Sequence, residues 1–296
     1  MSDNVSTDWR DVSRRAAFES HRLIGWIYWD PRAIANYAAL GVPDGLGYYI
    51  ASRGATLGHA GNEVVTAAFY SIHPDFVDLG LDLCRANTTF EAAAAARDAA
   101  VVDGLREYTP EICDGLAAMA DDLWAAADSL PVAGRVLYAS TRVWPRPVDD
   151  ALLSAWLAVN SIREWRGDTH WAIQINEDIG GVEAGVLDGA WRKYPEGWLP
   201  RSRGADDDGI AAALRTLEAK GFATDSVVNQ AGIDYRQSLE DRLDDLSAVA
   251  WRNFGADGTE RFLSLLEPVS DRLVERIDAT AGPNWMPAAR VIEPRT

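Results

Sequence analysis

The chain is poor in the residues on which most site chemistry is built. Two cysteines, Cys84 and Cys113, are too few for a disulfide framework or a four-cysteine zinc site, and their helical surroundings mark both as core thiols. Four histidines, His21, His59, His73 and His170, show no His-Glu-x-x-His spacing, so no metal is expected. Gly-x-Gly-x-x-Gly between strand and helix, Gly-Lys-Ser/Thr and Gly-x-Ser-x-Gly are all missing, which removes the usual nucleotide cradles and the serine-hydrolase elbow. No cofactor is expected. Apolar stretches such as 92–96 and 210–214 end far short of the roughly 20 residues that span a bilayer. The opening MSDNVSTDWRDVSRR lacks the apolar core of a secretion signal, so a cytoplasmic protein with no membrane partner is expected. Positive charge is scarce: 28 Lys and Arg face 45 Asp and Glu, a net charge of -17 that repels phosphate backbones.

Against these deficits stand 296 residues, 48% of them hydrophobic, enough for a sizeable core and for two domains. The periodicity is helical almost throughout. Helices are expected over 8–28, 31–40, 62–71, 74–87, 89–107, 110–128, 150–178, 209–220, 231–253 and 257–278, with Asp30-Pro31 and His73-Pro74 as start signals. The glycine-rich segment 45–62 suggests an ordered loop or a hairpin, residues 130–148 carry no clear pattern, and 222–229 looks extended. The Pro, Gly and charge of 192–209 suggest a junction. The expected fold is mainly α, with a helical ligand-binding domain at 1–195 around a long central helix, a winged-helix-like module at 205–280 and a tail at 281–296.

The string LEAKGFATDSVVNQAGIDYRQSLEDRLDDL, residues 217–246, resembles the winged-helix module of MarR-type regulators, with Gly221 ending a helix and Gly232 opening the next. Over most of its length the chain is similar to an actinobacterial family described as helix-turn-helix proteins. Three strings carry that likeness: GYYIASRGATLG at 47–58, AAFYSIHP at 67–74 and IREWRGDTH at 162–170. It departs at Thr56, where proline is usual, at Trp165, where histidine is usual, and at Thr169, where glycine is usual. A DNA-reading winged helix supplies cations to phosphates. Residues 205–278 hold 8 Lys and Arg against 16 Asp and Glu, so nucleic acid is not the expected partner.

On the central helix Arg163, Arg166, His170 and Gln174 recur at helical spacing and share a face. Arg53, Tyr48 and Tyr49 from the glycine segment, with Trp26, Tyr28 or Trp29, complete a candidate pocket that has aromatic walls and an arginine pair suited to a carboxylate or phosphate. The expected function is binding of an anionic or aromatic small molecule. One alternative is metal-free acid/base catalysis of the lyase or isomerase type by His170, oriented by Asp168. Another is a MarR-like regulator, and a plainer one is a salt-bridge network of Arg163, Arg166 and Asp168 that fixes the central helix to the glycine segment. Gly167, in mid-helix, invites close approach of another backbone or a ligand. Leucines 239, 243, 246, 263, 266 and 273 suit either a homodimer seam or closure of the domain.

Overall fold

A computed structural model describes residues 7–292; the first six residues and the last four of the expected tail lie outside it. The fold is mainly α, and its one sheet among the described residues is a two-stranded hairpin. The helices are α1 Trp9–Gly25, α2 Pro31–Ala38, α3 Tyr48–Arg53, α4 Asn62–Phe69, α5 Pro74–Asn87, α6 Phe90–Tyr108, α7 Pro110–Ala117, α8 Ala120–Asp128, α9 Val136–Val143 and α10 Ala151–Asn176. After them come α11 Gly181–Trp191, α12 Trp198–Ser202, α13 Asp207–Ala219, the strands β1 Ala223–Thr224 and β2 Val227–Val228, α14 Gln230–Phe254, α15 Ala256–Leu266 and α16 Asp271–Thr280.

Several starts follow directly from side-chain chemistry. Asp30 accepts from the Arg32 N–H with Pro31 in the first turn, and Thr89 accepts from the Ala92 N–H. Helix α10, about 39 Å long at 1.5 Å per residue, is the axis. It packs against α1, α7, α8, α9 and α14. The main hydrophobic core gathers residues from 16 to 165 and from 250 to 289, with Trp26, Trp156, Trp251 and Tyr138 fully enclosed. A second, small cluster of Ile179, Ala184, Leu187, Leu217 and Ala223 joins α11, α13 and the hairpin.

Helices α12 and α13 pack on α11, and the hairpin of β1 and β2 follows them. Asp225 and Ser226, both at positive φ, form the two-residue turn between the strands. The small cluster straddles the segment 192–209 that composition marked as a junction, and α15 packs on α1 rather than on the wing.

The glycine segment forms no hairpin. It is α3 flanked by 3-10 turns, with Gly47 at φ 79° against the Gly80 backbone, an approach that a side chain at either position would block. Residues 110–128 break into α7 and α8 at Ala118–Met119, and 257–278 break at Glu267–Ser270, where Pro268 withholds an N–H. Five of the six candidate seam leucines are buried within the chain; only Leu246 is exposed. Among the described residues no helix is long and apolar enough to cross a membrane.

Candidate functional site

Helix α10 carries two charged clusters, one bonded to α3 and the other to α14. At its middle, Arg53 of α3 grips Glu164 through two bonds, Nε to Oε1 at 2.9 Å and Nη2 to Oε2 at 2.7 Å, and Arg163 Nη1 adds a third at 2.7 Å. Burial opposes charge on Glu164, but Arg53 and Arg163 outweigh it and hold the carboxyl down at about 2. One turn on, Arg166 Nη2 donates to Glu240 at 2.8 Å and to Asp244 at 2.6 Å, both on α14. Arg236 joins Glu240 at 2.7 Å to Asp188 of α11 at 2.9 Å, and Arg192 also holds Asp188 at 3.1 Å. Burial pushes Asp244 up to about 6 against the pull of Arg166, whereas for Asp188 the same penalty is overcome by Arg192 and Arg236.

Two histidines sit among these cations and are held neutral. His21 of α1 accepts from Arg163 Nε at 3.2 Å; burial, then Arg163 and Arg166, drives its pKa well down. His170 is hydrogen-bonded with Gln174 at 2.9 Å, and burial followed by the charge of Arg236 takes it to about 3.

Arg203, just after α12, is the odd member. Its guanidinium lies near Asp188, Tyr49, Arg192 and Arg236, yet among the described residues its side chain bonds only Ser71 Oγ, at 3.1 Å, and no carboxylate lies within salt-bridge distance. Burial lowers its pKa. Arg53, Arg163, Arg166, Arg192, Arg203 and Arg236 thus face Glu164, Asp188, Glu240 and Asp244: six cations against four carboxylates. Polar atoms are left over here too. Arg166 Nε, Arg236 Nη1, Gln174 Oε1 and Tyr28 OH are buried with no hydrogen-bond partner.

His21, Arg163, Arg166, His170, Arg192 and Arg203 are each partly exposed. A void of about 10 Å³ lies beside His21, Arg163 and Arg166, room for about one water. Next to Arg53 an aromatic group begins: Tyr49 meets Tyr28 edge-on at 5.1 Å, Trp29 stands 5.9 Å from Tyr49, and Trp285 from the C-terminal segment bridges Trp29 at 5.5 Å and Trp198 at 5.4 Å.

Of the expected site residues, Arg53, Tyr49, Arg163, Arg166, His170 and Gln174 come together here. Trp26 does not: its indole donates to the Leu23 carbonyl and its ring is enclosed against Tyr108. Tyr48 turns toward Tyr37 in the core. Asp168 faces away from His170. Its carboxylate accepts from the Tyr138 N–H at 2.9 Å and caps the start of α9, so it neither orients the imidazole nor joins the arginine network. Gly167 admits no close neighbour; a Cβ there would meet only the Glu164 carboxylate at 3.6 Å.

The sequence reasoning missed His21, Asp188, Arg192, Arg203, Arg236, Glu240 and Asp244. A signal existed for five of them, because Asp188 with Arg192, and Arg236 with Glu240 and Asp244, repeat at four-residue spacing between apolar neighbours. Among the described residues no three His, Cys, Asp or Glu converge as a metal site. An open hollow of about 520 Å³ bordered by His59, Arg85, Phe90 and Glu91 shares no lining residue with the arginine cluster, and its charges pair locally as His59–Glu91 and Arg85–Asp82.

The chain belongs to a helix-turn-helix family, whose model matches residues 13–280. Comparisons with curated proteins and with solved structures each returned no match.

Proposed function

We propose that this helix-turn-helix protein binds a small anionic molecule at the arginine cluster between α3, α10, α11 and α14, in the cytoplasm. The observation that carries the reading is the surplus of guanidinium groups over carboxylates in that cluster, where among the described residues Arg203 has no carboxylate within salt-bridge distance. A buried cation without a partner is costly, so an anionic guest is the natural complement. The partly exposed rings of Trp29, Tyr49 and Trp285 supply the apolar remainder of a ligand site.

On this reading the wing-bearing unit is a wall of the site rather than a DNA reader of the MarR kind. The helix before the wing opens with exposed Asp206, Asp207 and Asp208, and Lys220 at its end is bound to Asp178. Phosphate contacts need cations at those places. Acid/base catalysis by His170 and Asp168 is less well supported, because the two groups face different elements.

The test is a thermal-shift screen of carboxylates and phosphates against wild type and Arg203→Met. Wild type is expected to gain melting temperature with at least one anion. The variant is expected to be as stable as wild type or more stable without ligand, and to lose that gain. Equal gains in both proteins, or no anion raising the wild-type melting temperature at millimolar concentration, would overturn the proposal.

A further inference from the structure

Three helices meet around the small void beside the arginine network. It lies where α1, α10 and α14 pack on one another, and its polar lining is Ser20 and His21 of α1, Arg163 and Arg166 of α10 and Ser247 of α14. The other lining residues are alanine, isoleucine and tryptophan, and none is acidic. We infer that this void is a second, smaller site, which holds one monoatomic anion of the chloride type. Arg203 is not among its lining residues, so the inference stands apart from the reading above.

The chemistry of the lining points that way. Arg166 spends Nη2 on Glu240 and Asp244, but its Nε–H is buried without a partner. Ser247, 2% exposed, likewise has a hydroxyl without a partner. A helical serine commonly returns its proton to the carbonyl one turn back, as Ser20 does to Ala16 at 2.7 Å. Ser247 does not, so its O–H is free to turn toward a guest. His21 accepts from Arg163 Nε through Nδ1 and is neutral, which puts its own proton on Nε2. Among the described residues these three donors, one of them on a cation, have no acceptor, and a buried donor left unmet carries its full desolvation cost.

Size and charge choose the occupant. Room for about one water shuts out phosphate, sulfate and carboxylates, whereas chloride is close to water in size. A water molecule accepts from two of the donors but must also place two protons of its own, for which the lining side chains offer only the hydroxyl oxygens of Ser20 and Ser247. Chloride brings no proton, accepts from all three donors and is attracted by the guanidinium groups of Arg163 and Arg166. The carboxylates that hold these arginines, Glu164, Glu240 and Asp244, bond the outer Nη atoms and are absent from the lining. An anion so placed bridges the three helices and stabilises the folded chain by mass action.

The experiment titrates sodium chloride into the full chain held in sodium gluconate, at constant sodium concentration, and reads the chloride NMR line width and the melting temperature. Gluconate is too large for the void. Wild type is expected to broaden the chloride resonance and to gain melting temperature, both saturating over one range of chloride concentration. Ser247→Val, which removes the hydroxyl and fills the space, is expected to broaden the resonance at least ten-fold less and to melt at the same temperature in either salt. Ser247→Ala, which keeps the space and loses one donor, is expected to bind chloride at least three-fold more weakly. No saturable response in wild type means that the void holds water, and equal responses in wild type and Ser247→Val mean adventitious ions on the surface only; either result overturns the inference. If Ser247→Val fails to fold, Ser247→Ala decides, and an unchanged chloride affinity overturns it. These outcomes leave the screen with Arg203→Met untouched, because carboxylates and phosphates do not fit this void.

Discussion

Asp168 and His170 are separated by about 200° around α10, and that rotation divides their roles. Burial, against the Tyr138 N–H that bonds the carboxylate, raises Asp168 to about 7. A carboxyl whose folded pKa lies above its unfolded value near 3.9 contributes stability that is present below that value and lost as pH rises through 7. Asp168→Asn cannot ionise. Its melting temperature relative to wild type is therefore expected to improve steadily between pH 4 and pH 8; a difference that stays constant over that range contradicts the assignment. The histidines carry the opposite sign. His21 and His170 are depressed, so they contribute stability that is present above about pH 6.5 and lost as pH falls toward their folded values.

At the scale of single elements, α10 and α11 use glycine in contrasting ways. In α11, Gly181, Gly185 and Gly189 recur every four residues and form one side of the helix. Gly181 lies on the Tyr70 carbonyl, while Gly185 and Gly189 admit Pro200 and Leu199 of α12. The stripe looks like a poor helix former in sequence, and it became a helix because close packing outweighs the propensity cost of about 1 kcal/mol per glycine. Gly167 has no such neighbour. Gly167→Ala is expected to raise stability by about 1 kcal/mol in denaturant titration, since the helical backbone accepts alanine and only Glu164 is near. A loss of stability would mean that the Arg53–Glu164–Arg163 lock does not tolerate the added methyl group. The two helix breaks also differ: Pro268 announces one of them, whereas Ala118–Met119 contains neither glycine nor proline, and nothing in the local sequence marks that bend.

For the whole molecule the shifted groups oppose one another. Between pH 5 and pH 7 the two histidines weaken the fold as acid is added, whereas Asp168 and Asp244, raised to about 7 and about 6, strengthen it. Wild-type stability is therefore expected to be nearly level across that window. His170→Gln removes one histidine and leaves the carboxylates ahead, so its stability is expected to rise as pH falls from 7 to 5. Chemical denaturation at pH 5, 6 and 7 checks both statements; parallel pH profiles for the two proteins contradict them.

The mainly helical class, the ends of α5 and the extended segment within 222–229 were legible from period, caps and turn residues, because those depend on neighbours within a few positions. The face of Arg163, Arg166, His170 and Gln174 was legible for the same reason. Which partners meet that face was not. Glu240 and Asp244 lie more than 70 residues away in sequence, and Arg203 stands out only once Asp188 is seen to be taken by Arg192 and Arg236. Local spacing thus set where the charges stand on each helix. Packing of α14 against α10 and α11, and the bond from α3 to Glu164, decided which of them cancel and which are left over, since pairing of buried ions depends on distances of a few ångströms across elements that the chain order leaves far apart.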